Sequence, residues 1–292
     1  MSFTKYRAFI RVVELGSITK AAAELGYSQP GVSRMLDSLE DELGITLLIR
    51  NNTSVAPTEE GRQILDHCRE IVKHENDLFD LTNSIKGLIC GKIRIGALNS
   101  MVVNYTPKII NTFSSAYPNI ELILSEISFS QIIRQLLNNT IDIGFTSEFN
   151  EKNLKFYPLF NDPSVLIINE KHPFASYDKV PVSALNGCDF IMPEKGWDDP
   201  VAAVLKKKKF TPVVKYRVQS DTGAISMVSE NLGVYIMSSM QKHFLPENVL
   251  VKEFEEKAYR TMGFGVRSLK AASPAIKEFI KITKSFFADD IK

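Results

Sequence analysis

Cysteine is scarce: Cys68, Cys90 and Cys188 are widely spaced and odd in number, with no CxxC pair, which suggests neither a disulfide framework nor a zinc site. The four histidines lie apart; His67 and His74, a heptad apart on one expected helix, are too distant to share a metal ion. No apolar stretch approaches the ~18 residues of a membrane span. The start, Met1 to Phe9, interleaves charge with apolar residues and lacks a signal-peptide core. A cytoplasmic location is expected. Excess positive charge is missing as well. The net charge is +1, and residues 1–90 carry ten Lys/Arg against thirteen Asp/Glu. Any nucleic-acid binding must therefore come from a shaped motif, since the bulk basic footprint is absent. GxxxxGKS/T, GxSxG and HExxH are also absent, so no common enzyme signature is present.

What the chain does contain is most informative between Ser17 and Leu39. An Ala-rich helix from about Thr19 to Leu25 is closed by Gly26 in the manner of a C-cap. Ser28 is suited to cap the next helix, and Pro30 fits its first turn. Val32, Met35, Leu36 and Leu39 recur at i, i+3, i+4 and i+7, so that face is buried. The opposite face offers Pro30, Ser33, Arg34 and Asp37. This is a helix-turn-helix, and its second helix is shaped to enter a DNA major groove. Helix 1 spans about Phe3 to Leu15. Residues 43–50 and 53–57 read as two strands around a turn at Asn51-Asn52, a wing that either lies along the DNA or is a plain structural hairpin. Thr58 caps a helix reaching about Leu88, whose Ile64, Cys68, Ile71, Glu75, Leu78, Thr82 and Ile85 form a heptad seam interrupted at Glu75 and Thr82. Such a seam seeks the same helix of a second subunit.

From Lys92 onward strands alternate with helices. The expected strands are 93–96, 120–125, 141–145, 165–168, 190–192, 213–218, 234–237, 250–254 and 262–266. Helices are expected over 107–117 (capped by Thr106), 130–138, from Val201, 221–231 and 274–287. The alternation predicts a mainly parallel sheet with helices on both faces, in two lobes flanking a cleft. The expected division is 1–58 for the winged helix-turn-helix, 59–90 for the linker and dimerisation helix, and 91–292 for a regulatory domain. Within the last, one lobe takes about 91–161 and 266–292, the other about 162–265. Asn99, Ser100, Ser128, Thr146, Trp197 and Ser220 are the candidate effector contacts. Hydroxyls and N–H groups at helix starts suit a small anion or carboxylate; the alternative for each Ser or Thr is a helix cap, and for Trp197 core packing. Lys206–Lys209 reads as a solvated helix end, and Cys90 and Cys188 as buried inert thiols.

In order and spacing, Gly16-Ser-Ile-Thr-Lys-Ala-Ala, Ser28-Gln-Pro-Gly-Val-Ser-Arg34, Leu39-Glu-Asp-Glu-Leu-Gly-Ile-Thr-Leu-Leu-Ile-Arg50 and Thr58-Glu-Glu-Gly61 resemble the LysR-type transcriptional regulators. Ile93-Arg-Ile-Gly96, Tyr117-Pro118, Ile141-Asp-Ile-Gly144, His172-Pro173 and Asn231-Leu-Gly-Val234 extend the resemblance through the chain. Gly31 in place of Ala, Leu48 in place of Phe, and Met237-Ser238 in place of Leu-Pro depart from the family pattern. The resemblance implies an α/β regulatory domain of periplasmic-binding-protein type and a small-molecule co-inducer in its cleft, with no other cofactor. It also implies dimers paired into tetramers on promoter DNA, with RNA polymerase as a further partner. By position Gln29, Pro30, Ser33 and Arg34 match its DNA-facing residues, with Arg50 on the wing. A peroxide-sensing branch uses paired cysteines, a role the spacing of Cys90 and Cys188 does not support. An enzyme on the same two-lobed fold would have no use for residues 17–39, and the missing export signal counts against a solute receptor for transport.

Overall fold

The computed structural model describes residues 3–51, 54–85, 91–194, 201, 204 and 209–288. The chain forms two compact units, Met1–Ile89 and Cys90–Lys292.

In the first unit, α1 (Phe3–Leu15), α2 (Ile18–Leu25) and α3 (Gln29–Leu43) precede a hairpin of β1 (Leu48–Arg50) and β2 (Val55–Pro57), and α4 (Glu59–Ile85) follows. Local chemistry sets the boundaries. The Ser17 hydroxyl accepts from the Lys20 amide at 3.3 Å and that of Ser28 from the Gly31 amide at 3.2 Å. Gly26 and Gly44 close α2 and α3 at φ 73° and 69°, a left-handed conformation that glycine adopts without a Cβ clash. Thr58 does cap α4, accepting from the Gly61 amide at 2.9 Å. The first wing strand is shorter than expected: Leu43 still belongs to α3, whose end at Gly44 delays pairing until Leu48. Phe9, Val12, Val32, Leu36, Leu39 and Leu47 form the sealed centre.

Helix α4 joins that core through Leu65 and Cys68, while Ile71, Leu78 and Phe79 stay exposed (38%, 62% and 60%). Glu75 is no simple interruption of the seam. It pairs with Arg7 of α1 at 3.1 Å, and Arg7 also donates to Asn76 at 2.6 Å. The helix beyond Ile85, including its expected end at Leu88, lies outside the described residues.

The second unit opens with β3 (Gly91–Ala97), α5 (Asn99–Asn104), α6 (Thr106–Ala116), β4 (Ile120–Glu126), α7 (Phe129–Leu137) and β5 (Ile143–Ser147). Next come β6 (Lys155–Asn169), β7 (Lys179–Val180), β8 (Asp189–Pro193) and β9 (Val213–Val218). The remaining elements are α8 (Asp221–Ser229), β10 (Tyr235–Ser238), a 3-10 segment (Ser239–Phe244), β11 (Val249–Phe254), β12 (Tyr259–Val266) and α9 (Pro274–Phe286). Of the helix expected from Val201, the described residues are Val201 and Val204, both helical and buried.

A mainly parallel sheet is not what forms. β3 pairs parallel with β4 and β5, and β8 with β9. β12, however, runs antiparallel to both β5 and β6, and β6 antiparallel to β10 and β11. The cause is β6, 15 residues long rather than the expected four. Its first half pairs with β12 and its second half with β10 and β11, so one strand passes from the first lobe into the second. Pro158 and Pro163 disguise the first half as loop in sequence. In the second half Leu166 and Ile168 face one core while Val165 and Ile167 face the other, the two-residue alternation of a strand buried on both sides. Helix α5 begins at Asn99, where the end of the first strand of this unit gives way to a helix, and stops at Asn104, ahead of the helix expected over 107–117. Thr106 is not a cap: it is the first residue of α6, and its hydroxyl donates to the Met101 carbonyl at 2.9 Å.

Candidate functional site: a DNA-reading face and an interlobe cleft

On α3 the buried stripe of Val32, Leu36 and Leu39 fixes which side meets solvent. Gln29, Pro30 and Arg34 are exposed and Ser33 is half-buried. Among the described residues neither Gln29 nor Arg34 spends a side-chain hydrogen bond on the protein. Arg50 behaves differently. Its Nη2 pairs with Asp37 at 2.7 Å and Glu40 at 3.0 Å, and its Nη1 donates to the Ser33 hydroxyl at 3.3 Å. Glu40 also accepts the Leu47 and Leu48 amides, at 2.7 and 3.0 Å. One carboxylate thus ties the reading helix to the wing. The wing meets α4 just as closely, because a Cβ on Gly61 would lie 2.2 Å from the Leu47 carbonyl oxygen.

The cleft of the second unit, a cavity of about 110 Å³, gathers residues that follow the carboxyl ends of strands. Asn99 and Ser100 come after β3, Glu126 ends β4, Ser220 and Asp221 come after β9, and Gln241 after β10. This is where open α/β sheets hold their ligands, since loops diverge there and helix starts point inward. A hydrogen-bonded chain crosses it. Tyr235 donates to Asp221 Oδ1 at 2.6 Å. Gln241 Nε2 donates to Asp221 Oδ2 at 2.8 Å and to Asn99 Oδ1 at 2.6 Å, and Asn99 Nδ2 donates to Glu126 Oε1 at 3.1 Å. Beneath it Arg260 donates through Nε to Asp162 at 2.7 Å and through Nη2 to the Ser100 hydroxyl at 3.2 Å. Burial pulls the Arg260 guanidinium below its ordinary value, and Asp162 opposes the shift.

Of the residues expected at the cleft, Asn99, Ser100 and Ser220 line it. Ser220 caps α8 at the same time, accepting from the Gly223 amide at 3.1 Å. Ser128 is not part of the wall; with Gln131 it forms the capping box of α7. Thr146 is fully buried in β5 and does not line the cavity, its hydroxyl unpaired among the described residues. Trp197 and Cys90 lie outside the described residues. Cys188 donates to the Ala184 carbonyl at 3.1 Å, and burial, with help from Asp189, raises its thiol pKa. Burial pushes the Cys68 thiol up to about 11. Sequence reasoning missed Glu126, Asp221, Tyr235, Gln241 and Arg260 as cleft residues. The one available signal was a run of polar side chains just after strand ends.

A winged helix-turn-helix, a long helix with an exposed apolar stripe, and a two-lobed α/β domain define a class: DNA-binding transcriptional regulators carrying their own effector-binding domain. Residues 3–62 match the family model of the bacterial regulatory helix-turn-helix protein, lysR family, and residues 86–288 that of the LysR substrate binding domain. The chain is 31% identical to the HTH-type transcriptional regulator YvbU of Bacillus subtilis, over 98% of its own length and 99% of that protein. This chain belongs to the LysR family of non-enzymatic transcriptional regulators. Solved structures share the fold. A full-length OxyR variant from Pseudomonas aeruginosa superposes with a TM-score of 0.76 at 21% identity, covering 98% of this chain and 94% of that one. CbnR complexed with its target DNA gives 0.68 at 19% identity, covering 98% and 99%. Among the described residues no helix is long and apolar enough to cross a membrane.

Proposed function

We propose that this chain is a sequence-specific transcriptional regulator that binds promoter DNA as a dimer and is controlled by a small molecule held between its two lobes. The carrying observation is the split character of α3: Val32, Leu36 and Leu39 are at most 1% exposed, while Gln29 and Arg34 project from the same helix without an internal partner. Gln suits adenine and Arg suits guanine in a major groove, each bidentate pair contributing ~1–3 kcal/mol of discrimination. Pro30 offers an apolar surface to a thymine methyl, and Ser33 a hydroxyl to base or phosphate. Arg50 sets the wing; a phosphate contact from it would require release from Asp37 and Glu40.

The exposed Ile71, Leu78 and Phe79 supply the dimer seam, and pairing of dimers into tetramers follows the family habit. Two reading helices then address half-sites about one helical turn, ~34 Å, or a multiple apart. Effector binding acts by changing the closure of the lobes, since Gln241 bridges Asn99 of one lobe to Asp221 of the other. Selection of random duplexes by the full-length protein tests the reading. An inverted repeat with half-sites spaced by whole turns is expected; a single isolated contact without dyad symmetry refutes it.

A further inference from the structure

Helix α4 has two tasks: part of it is packed into the DNA-reading unit, and its exposed stripe is the seam of the proposed dimer. Among the described residues its apolar contacts with the core of that unit run from Ile64 through Leu65 and Cys68 to Val72. The exposed seam residues Ile71, Leu78 and Phe79 begin where that grip ends. Two polar ties join α1 to α4 over the same stretch. Arg69 Nη2 lies 3.7 Å from Glu14 Oε1, and Arg69 Nη1 donates to Asp66 at 3.1 Å. Glu14 also pairs with Arg11, which reaches Glu24 of α2, so the helix-turn-helix shares this tie. At the second tie Arg7 Nη2 pairs with Glu75 Oε2 at 3.1 Å and donates to Asn76 Oδ1 at 2.6 Å.

The ties run in opposite order along the two helices, Arg7 to Glu75 and Glu14 to Arg69, so α1 and α4 are held at two points ~10 Å apart at 1.5 Å per residue. Two points fix the direction of a rod; one leaves a pivot. Apolar packing is non-directional and tolerates a small tilt, whereas a charge-assisted hydrogen bond weakens steeply once bent. The tie at Arg7 lies beyond Val72, where the apolar grip has stopped. The lever it controls is long. From Leu65 in the core to Leu78 in the seam α4 rises ~20 Å, and a tilt of ~10° over that length displaces the seam by ~3.4 Å, one base step along a DNA strand.

We propose that Arg7 is a positioning residue that sets which half-site spacing the protein accepts, by holding Glu75 and Asn76 so that the angle between the reading helix and the seam of α4 is fixed. The inference rests on the proposal that the chain binds DNA as a dimer through α4. Glu75 falls at a seam position of the heptad pattern, where an apolar residue would strengthen pairing. In this reading its carboxylate is the acceptor that gives up seam area for a fixed angle. Arg7 itself carries no base information, since its Nη2 is spent on α4. A duplex whose half-sites lie one base pair nearer or farther bends the tie in both protomers. Two partly exposed pairs, one per protomer, sustain a discrimination of about fivefold.

The test uses the full-length protein and the operator recovered by selection, resynthesised with its half-sites one base pair closer and one farther apart. A further duplex exchanges one base pair inside a half-site. Competition binding at fixed salt is expected to show wild type preferring the native spacing. Arg7→Ala and Glu75→Ala should each cut that preference by about fivefold while the preference within the half-site is retained, and Arg7→Glu combined with Glu75→Arg should restore it. The Arg7 side chain is 42% exposed, so its removal leaves the core of the unit intact. Unchanged spacing preference in Arg7→Ala overturns the inference and leaves the dimer standing. A uniform loss on every duplex overturns it as well, marking a plain structural role. So does a salt slope lowered by about one per protomer in Arg7→Ala, the mark of a phosphate contact. A wild type indifferent to spacing refutes the dimeric reading of α4, and this inference with it.

Discussion

Replacing Glu40 by alanine isolates what holds the wing on the reading helix. The wild-type carboxylate accepts two backbone amides, Leu47 at 2.7 Å and Leu48 at 3.0 Å, and pairs with Arg50 at 3.0 Å. Leu47 and Leu48 are 1% and 4% exposed, so water has little room to replace the lost acceptor. Hydrogen bonds to a charged group contribute ~1.5–3 kcal/mol each, and the lower end applies at this half-solvated site. The Arg50 pair, with a third of the arginine side chain exposed, adds ~0.5 kcal/mol. The sum is about 3.5 kcal/mol for Glu40→Ala. Glu40→Gln keeps an oxygen for both amides and should lose only about 1 kcal/mol.

Hydrogen exchange on the full-length protein reads this directly. A local loss of about 3.5 kcal/mol should speed exchange of the Leu47 and Leu48 amides by roughly 400-fold. Promoter affinity separates the two opposing effects of the substitution. Simple charge counting says that removing a carboxylate near DNA tightens binding; loss of the brace says that it weakens. Exchange within a factor of about three of wild type in Glu40→Ala, a ratio worth under 1 kcal/mol, together with unimpaired DNA binding, would falsify the brace.

Arg34→Ala should lower the preference for the selected operator over scrambled duplex by ~1–3 kcal/mol, measured by competition binding at fixed salt; unchanged selectivity removes Arg34 from base readout. Gly61→Ala should destabilise the first unit by ~1–3 kcal/mol in urea titration despite alanine's better helix propensity, because the new Cβ meets the backbone oxygen of Leu47. Leu78→Glu combined with Phe79→Glu should give monomers by sedimentation equilibrium with unaltered helical circular dichroism, since both side chains are exposed within one chain. His172 accepts the Phe174 amide at 3.2 Å through Nδ1, and burial lowers its pKa from the usual 6.5. The neutral imidazole is thus favoured in the fold, so its contribution is complete above 6.5 and falls as pH drops from there toward the lowered folded value. Wild type should lose more stability than His172→Asn over that interval, and parallel pH profiles would dismiss the effect.

The parts of this molecule legible in sequence are those settled within a few residues. Ser28 and Thr58 start helices, Gly26 ends one, and the i, i+3, i+4, i+7 spacing of α3 decides its buried side. Each depends on neighbours one or two turns away, so the pattern carries the answer. The sheet did not yield as readily. Strand direction in β12 and β6 is set by partners about 100 residues apart, such as Asn161 opposite Thr261, and nothing local in Pro158 or Pro163 announces a strand. Ser128 and Thr146 show the same limit, since a hydroxyl after a strand is equally suited to cap a helix, face a cleft or be buried.

By itself, then, the sequence determined the reading helix, the wing and the long helix, because capping, turn chemistry and helical periodicity are short-range. Tertiary structure alone decided the cleft. Asn99, Asp221 and Gln241 are brought into one hydrogen-bonded chain across separations of 142 and 20 residues. Whether a polar side chain ends up as a cap, a brace or a wall depends on the surface packed against it, which only the folded chain supplies.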